Sequence, residues 1–115
     1  MGGFKLKRVY DAPSKEDGYR VLVDRLWPRG QRKDAAQLDE WNKDIAPSSA
    51  LRKWFNHQPE RFDTFSAQYR EELAAKTADL DKLRAIAKEK QVTLLYAAKD
   101  EHHNQAVVLK KVLES

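Results

Sequence analysis

Apolar and basic residues alternate over Phe4-Lys5-Leu6-Lys7-Arg8-Val9, the period of a strand with one wet face. Residues 10–18 then bring together Asp11, Pro13, Ser14, Asp17 and Gly18, a turn composition. A second strand is predicted over 20–26. Its Val21-Leu22-Val23 centre has no polar break, so it reads as buried on both faces, as in a sheet covered by helices. Pro28 and Gly30 stop it. The period then becomes helical. Leu38, Trp41 and Ile45, at i, i+3 and i+7, predict an amphipathic helix over 34–45, ended by Pro47. Ser48 or Ser49 can cap a short helix carrying Leu51, Trp54 and Phe55. Pro59 opens the next, with Phe62, Phe65, Tyr69 and Leu73, and Thr77 separates it from one with Leu80, Leu83 and Ile86. Residues 91–98 form a third strand, apolar throughout, and a last helix spans 103–113.

Strand, strand, helices, strand, helix is an α/β order. The expected fold is a small, mostly parallel sheet of about three strands covered by helices, with a helical middle region, in one domain over 1–115. The long helical crossover makes the second and third strands parallel. The ten-residue link between the first two is short for such a crossover, which leaves the place of the first strand open.

A chain of 115 residues, 41% hydrophobic, can bury roughly two thirds of its unfolded surface and is not of the disordered class. Zero cysteines exclude disulfides, thiolate nucleophiles and iron–sulfur or zinc–thiolate sites. No apolar stretch approaches the roughly 18 residues of a membrane span, and no signal peptide opens the chain. Met1-Gly2-Gly3 begins like a myristoylation signal, but Leu6 stands where Ser or Thr is required. The expected compartment is the cytoplasm.

Charge changes this picture. The net charge is +4, yet residues 1–33 hold nine basic side chains and four acidic ones, and the rest of the chain is close to balanced. Five of the nine arginines lie in that first third, and guanidinium forks suit planar oxyanions. The asymmetry fits either a phosphate-binding surface or a solvated basic face.

Two loops gather the candidate chemistry: Asp24-Arg25-Leu26-Trp27-Pro28-Arg29-Gly30 after the second strand, and the run from Tyr96 to Asn104 after the third. Parallel strands put both at one sheet edge, where open α/β sheets bind ligands. Each loop leads into a helix whose first N–H groups favour negative charge. Arg25, Arg29 and Lys99 are expected to bind an anion, with Arg8, Trp27, Tyr96 and Asn104 completing the lining. His103 is the candidate acid/base, oriented by Asp24 or Asp100. Plainer readings stand beside these. Asp24 can be a structural ion pair with Arg25, Arg8 or Arg20. His103, Asn104 or Asp100 can cap the last helix, and Trp27 can be lid or core. Trp41, Trp54, Phe62, Phe65 and Tyr69 read as core, and His57 as solvent-facing. A metal site from Asp24, His102 and His103 would need adjacent histidines that splay apart, so none is assigned. No nucleophile elbow, P-loop or dinucleotide fingerprint is present, and no cofactor is named by the residues.

The residues 7–11, the run 17–30 and Ile45-Ala46-Pro47-Ser48 resemble the YeaO-like branch of domain-of-unknown-function family 488. So do Trp41, Leu51-Arg52-Lys53-Trp54-Phe55, residues 93–100 and His103-Asn104, so the resemblance covers nearly the whole chain. Its most specific part is the run 24–30. The resemblance implies a small bacterial-type cytoplasmic α/β domain, with the motif residues clustered at the two strand-end loops, and implies no activity. His102 and Gln105 depart from the pattern, standing where an acid and an asparagine are expected, which counts against a role for His102. Longer relatives carry a cysteine near the end of the last strand, so their thiol chemistry does not transfer here.

The resulting expectation is a small-anion site for a phosphate, a carboxylate or a nucleotide, in an enzyme or a binding protein. The alternatives are nucleic-acid binding through the basic first third and a metal-binding accessory role.

Overall fold

In a computed structural model that describes residues 3–115, four strands form one sheet. The reading of Met1 and Gly2 as lacking a myristoylation signal lies outside the described residues. β1 (Phe4–Arg8), β2 (Tyr19–Leu22), β3 (Glu40–Trp41) and β4 (Val92–Tyr96) run in the order β1-β4-β2-β3, every pair parallel. β4 thus lies between the first two strands and is buried along its whole length, which is why Val92-Thr93-Leu94-Leu95-Tyr96 carries no charge. The sheet is the mostly parallel one expected, with a fourth strand added.

The two faces of the sheet are covered differently. Val21, Val23, Leu94 and Tyr96 point into the larger core, under α2 (Ser49–Phe55), α3 (Phe62–Ala74), α4 (Thr77–Glu89) and α5 (Gln105–Glu114). Leu22 and Leu95 point the other way, into a smaller core with Val9 and Ala36, against which Trp27, Leu38 and Trp41 pack. The alternation along β2 and β4 sends apolar residues to both faces, and the one charged residue in these strands, Arg20, is buried and paired with Asp17. Trp54 departs from its expected core position. It is 42% exposed, with the Arg61 guanidinium over its ring.

The predicted helix over 34–45 does not form. Helix α1 (Lys33–Ala36) is one turn, and Gln37 ends it in the left-handed region at φ 47°. Asp39 then grips β2. Its N–H donates to the Arg20 carbonyl at 2.9 Å, and its carboxylate accepts the Arg20 N–H at 2.8 Å. That docks β3 beside Val21 and Leu22. Leu38 and Trp41 consequently enter the smaller core and Ile45 the larger, so residues of one helical stripe serve two faces. Tertiary hydrogen bonding overrode a local period.

A buried ion cluster closes the N-terminal edge of the sheet. Asp17, fully buried, meets Arg20 at 2.5 Å, Lys7 at 3.0 Å and Lys5 at 3.1 Å. Burial pushes its carboxyl up, but Lys7, the Ser14 N–H, Lys5 and Arg20 outweigh that and hold it well below the usual carboxylate range.

Candidate functional site

The chain leaves β2 and β4 at the same edge. The Val23 N–H donates to the Leu95 carbonyl at 3.0 Å and the Val9 N–H to the Tyr96 carbonyl at 2.8 Å, so pairing continues until the two loops begin. Beyond that point the loops part around a cleft of about 850 Å³. Residues 24–29 form one wall, residues 97–100 with Asn104 and Gln105 another, and the C-terminal half of α2 a third. The volume is within the range of small-molecule sites, roughly 300–1,000 Å³.

Asp24 joins the first two walls. Its carboxylate accepts the Ala97 N–H at 3.0 Å and the Gln105 side-chain amide, while its carbonyl takes the Trp41 indole N–H at 2.8 Å. Among the described residues it makes no ion pair, so the salt-bridge reading with Arg25, Arg8 or Arg20 is not what the structure contains. Burial pushes its carboxyl up to about 6, against the Ala97 and Gln105 hydrogen bonds and the Arg52 charge, which pull it down.

The basic candidates divide into committed and uncommitted groups. Arg25 is on the cleft wall, but its guanidinium donates to the carbonyls of Pro47 at 2.8 Å and Ala46 at 3.3 Å. Arg8 is off the wall and holds the β4 loop through the carbonyls of Ala98 at 2.9 Å and Ala97 at 3.0 Å. Arg29 and Lys99 are exposed on the wall, and among the described residues neither side chain has a protein acceptor. Two cations that the sequence reasoning passed over join them: Arg52 and Lys53 of α2. Among the described residues Arg52 bonds nothing through its side chain, and its Nε is out of contact with solvent. On a short amphipathic helix these two read as a solvated face. Only the fold shows that this face borders the cleft.

Trp27 lies on the wall, edge-to-face with Trp41 at 5.2 Å, its indole N–H on the Gln31 carbonyl. Tyr10 reaches across from β1, its hydroxyl donating to the Arg29 carbonyl at 2.7 Å. His57 is exposed on the cleft margin. Tyr96 does not line the cleft; it is 3% exposed in the larger core. Asn104 lines the cleft and caps α5, its side-chain oxygen accepting the Val107 N–H at 3.1 Å. That cap satisfies one of the four free N–H groups at the start of α5, and α1 is a single turn.

His103 is outside the cleft lining. Its Nδ1 lies 2.9 Å from Asp100 Oδ2 and its ring meets Phe62 edge-on at 5.2 Å. Asp100 also accepts the N–H groups of His102 and His103, which hold its carboxyl below the ordinary range, the His102 bond contributing most. Asp24 therefore does not orient His103; Asp100 does. Among the described residues no group of three or more His, Asp or Glu side chains gathers to hold a metal, so Asp24, His102 and His103 form no such site.

A family model described as the inactive DUF488-N3 subclade matches residues 3–115. The chain belongs to the DUF488 family. It is 50% identical to the uncharacterized protein YeaO of Escherichia coli over 95% of each chain. It is 45% identical to the uncharacterized proteins Mb3100c of Mycobacterium bovis and Rv3073c of Mycobacterium tuberculosis, over 95% of this chain and 92% of each of theirs. No solved structure matches. Among the described residues no helix is long and apolar enough to cross a membrane.

Proposed function

We propose that this chain is a binding protein for a small organic anion, held in the strand-end cleft. One observation carries the reading. Among the described residues, the wall presents Arg29, Arg52, Lys53 and Lys99 with no protein acceptor for their side chains, beside the apolar surfaces of Trp27, Leu26 and Phe55. A cleft with that lining binds a ligand with a charged end and an apolar body. The match to a subclade described as inactive favours binding over turnover, as does the position of His103 outside the lining. Nucleic-acid binding through the first third is less well supported. Lys5, Lys7 and Arg20 are engaged by Asp17, and Arg8 and Arg25 by backbone carbonyls.

Phenyl phosphate and phenol, titrated into isotope-labelled protein, test the reading. Phenyl phosphate should shift the Trp27 indole and the amides of residues 97–100, and phenol should do so at least about tenfold more weakly. Arg29→Ala combined with Lys99→Ala should weaken the phosphate ester at least about tenfold, since the loss of even one charge-assisted hydrogen bond is worth about 1.5–3 kcal/mol. Equal binding of the two probes, or shifts confined to another surface, would overturn it.

A further inference from the structure

The inner wall of the cleft is not simply basic. Asp24 and Arg52 both face it, near enough for the guanidinium to pull on the carboxyl's titration, yet among the described residues they form no ion pair. Ala97 and Gln105 supply one donor to each Asp24 oxygen and so hold the carboxylate against the β4 loop. A carboxylate has roughly four acceptor positions, so about two remain without a protein donor. Arg52 has the complementary deficit: among the described residues its guanidinium has no acceptor, and its Nε is out of contact with solvent. Buried polar groups are nearly always paired, so the unpaired Arg52 Nε calls for an acceptor, and the open lone pairs of Asp24 on the same wall can take a donor from the same ligand.

A bare anion meets only half of that demand. Bonded to Arg52, it would lie against the Asp24 carboxylate and be repelled. A bare cation would meet the reverse problem. The group that satisfies both carries an oxyanion and, one atom away, a hydroxyl or amino donor. We propose that the ligand is a 2-hydroxy or 2-amino acid, its carboxylate on Arg52 and its donor on Asp24, with an apolar or aromatic substituent along Trp27 and Phe55. This deepens the anion-cleft reading and rests on it.

Mandelate, phenylacetate and benzyl alcohol separate the contributions, because phenylacetate lacks only the hydroxyl and benzyl alcohol only the carboxylate. Titrated at pH 7.5 and followed by the Trp27 indole signal, mandelate should bind about tenfold or more tightly than either, the worth of one hydrogen bond to a charged group. Asp24→Asn should erase the preference for mandelate over phenylacetate. Arg52→Gln should weaken both acids alike. Phenylacetate binding as tightly as mandelate to the unaltered protein overturns this inference and leaves the anion cleft standing. If neither acid nor phenyl phosphate perturbs the cleft, both readings fall together.

Discussion

An ionised carboxylate is stable where water or a cation surrounds it, and Asp24 is partly withdrawn from the first and lacks contact with the second. Asp17 is buried more deeply but has three cations within 3.1 Å, and its carboxyl moves the opposite way. Two aspartates at opposite edges of one sheet thus differ: the paired one closes the fold, and the one without an ion pair faces the cleft. The consequence for stability has a definite sign. Asp24 titrates near 6 in the folded chain against 3.8 ordinarily, so between those values the native state holds the extra proton. Its contribution is therefore present below about pH 4 and lost as pH rises through 6, a loss on the order of 2 kcal/mol once partial solvent access is allowed for. Asp24→Asn, whose amide can still pair with Ala97 and a turned Gln105, should flatten that part of the profile. Urea midpoints should favour the variant at pH 7.5 and bring the two proteins together near pH 4. An unaltered protein that stays more stable than the variant by the same margin at both pH values would refute the assignment.

At the scale of elements, what could be read from the chain was whatever its local pattern and its packing agreed on. β2 and β4 were legible because burial on both faces gives each an unbroken apolar run, Val21-Leu22-Val23 and Leu94-Leu95-Tyr96. Ser48 and Asn104 were legible as caps because a side-chain oxygen at a helix start has few other uses. β3 was not, because Leu38, Trp41 and Ile45 have helical spacing and nothing local reveals that Asp39 will bond to Arg20. Gly18 belongs to the same class of long-range constraint. It enters β2 at φ 64°, and a Cβ there would stand 2.2 Å from the Gln91 carbonyl oxygen, which also accepts the Tyr19 N–H. The clash is with backbone at the start of the central strand, so no side chain can swing aside. Gly18→Ala should cost at least about 2 kcal/mol, backbone strain of about 1–3 kcal/mol with the clash added. Chemical denaturation at pH 7 measures it, and a loss below about 0.5 kcal/mol would mean that the turn and β4 are not held as closely as described.

At the scale of the whole molecule, parallel pairing made the site's position legible and side-chain commitments made its membership illegible. Two parallel strands must release their loops at one edge, so the pairing of the Trp27 and Lys99 segments around a hollow followed from topology. Which cations serve that hollow depended on which carbonyls and carboxylates had already claimed the others. The basic surplus of the first third illustrates this, and it bears on nucleic acid. A phosphate backbone binds by displacing counterions from cations it can reach, with a salt slope of about −0.9 per phosphate neutralised on B-DNA. Lys5, Lys7, Arg8, Arg20 and Arg25 already have partners that a phosphate would have to displace. Among the described residues Arg29, Arg52, Lys53 and Lys99 have none, so contact through the cleft rim gives a slope no steeper than about −4. Fluorescence anisotropy with a short labelled duplex over a range of salt concentrations should show weak binding with that shallow dependence, abolished by Arg29→Ala with Lys99→Ala. A slope of about −7 or steeper, unchanged in the double variant, would place the contact outside the cleft rim and return the basic N-terminal segment, with its exposed Lys15, Arg32 and Lys33, to the centre of the protein's function.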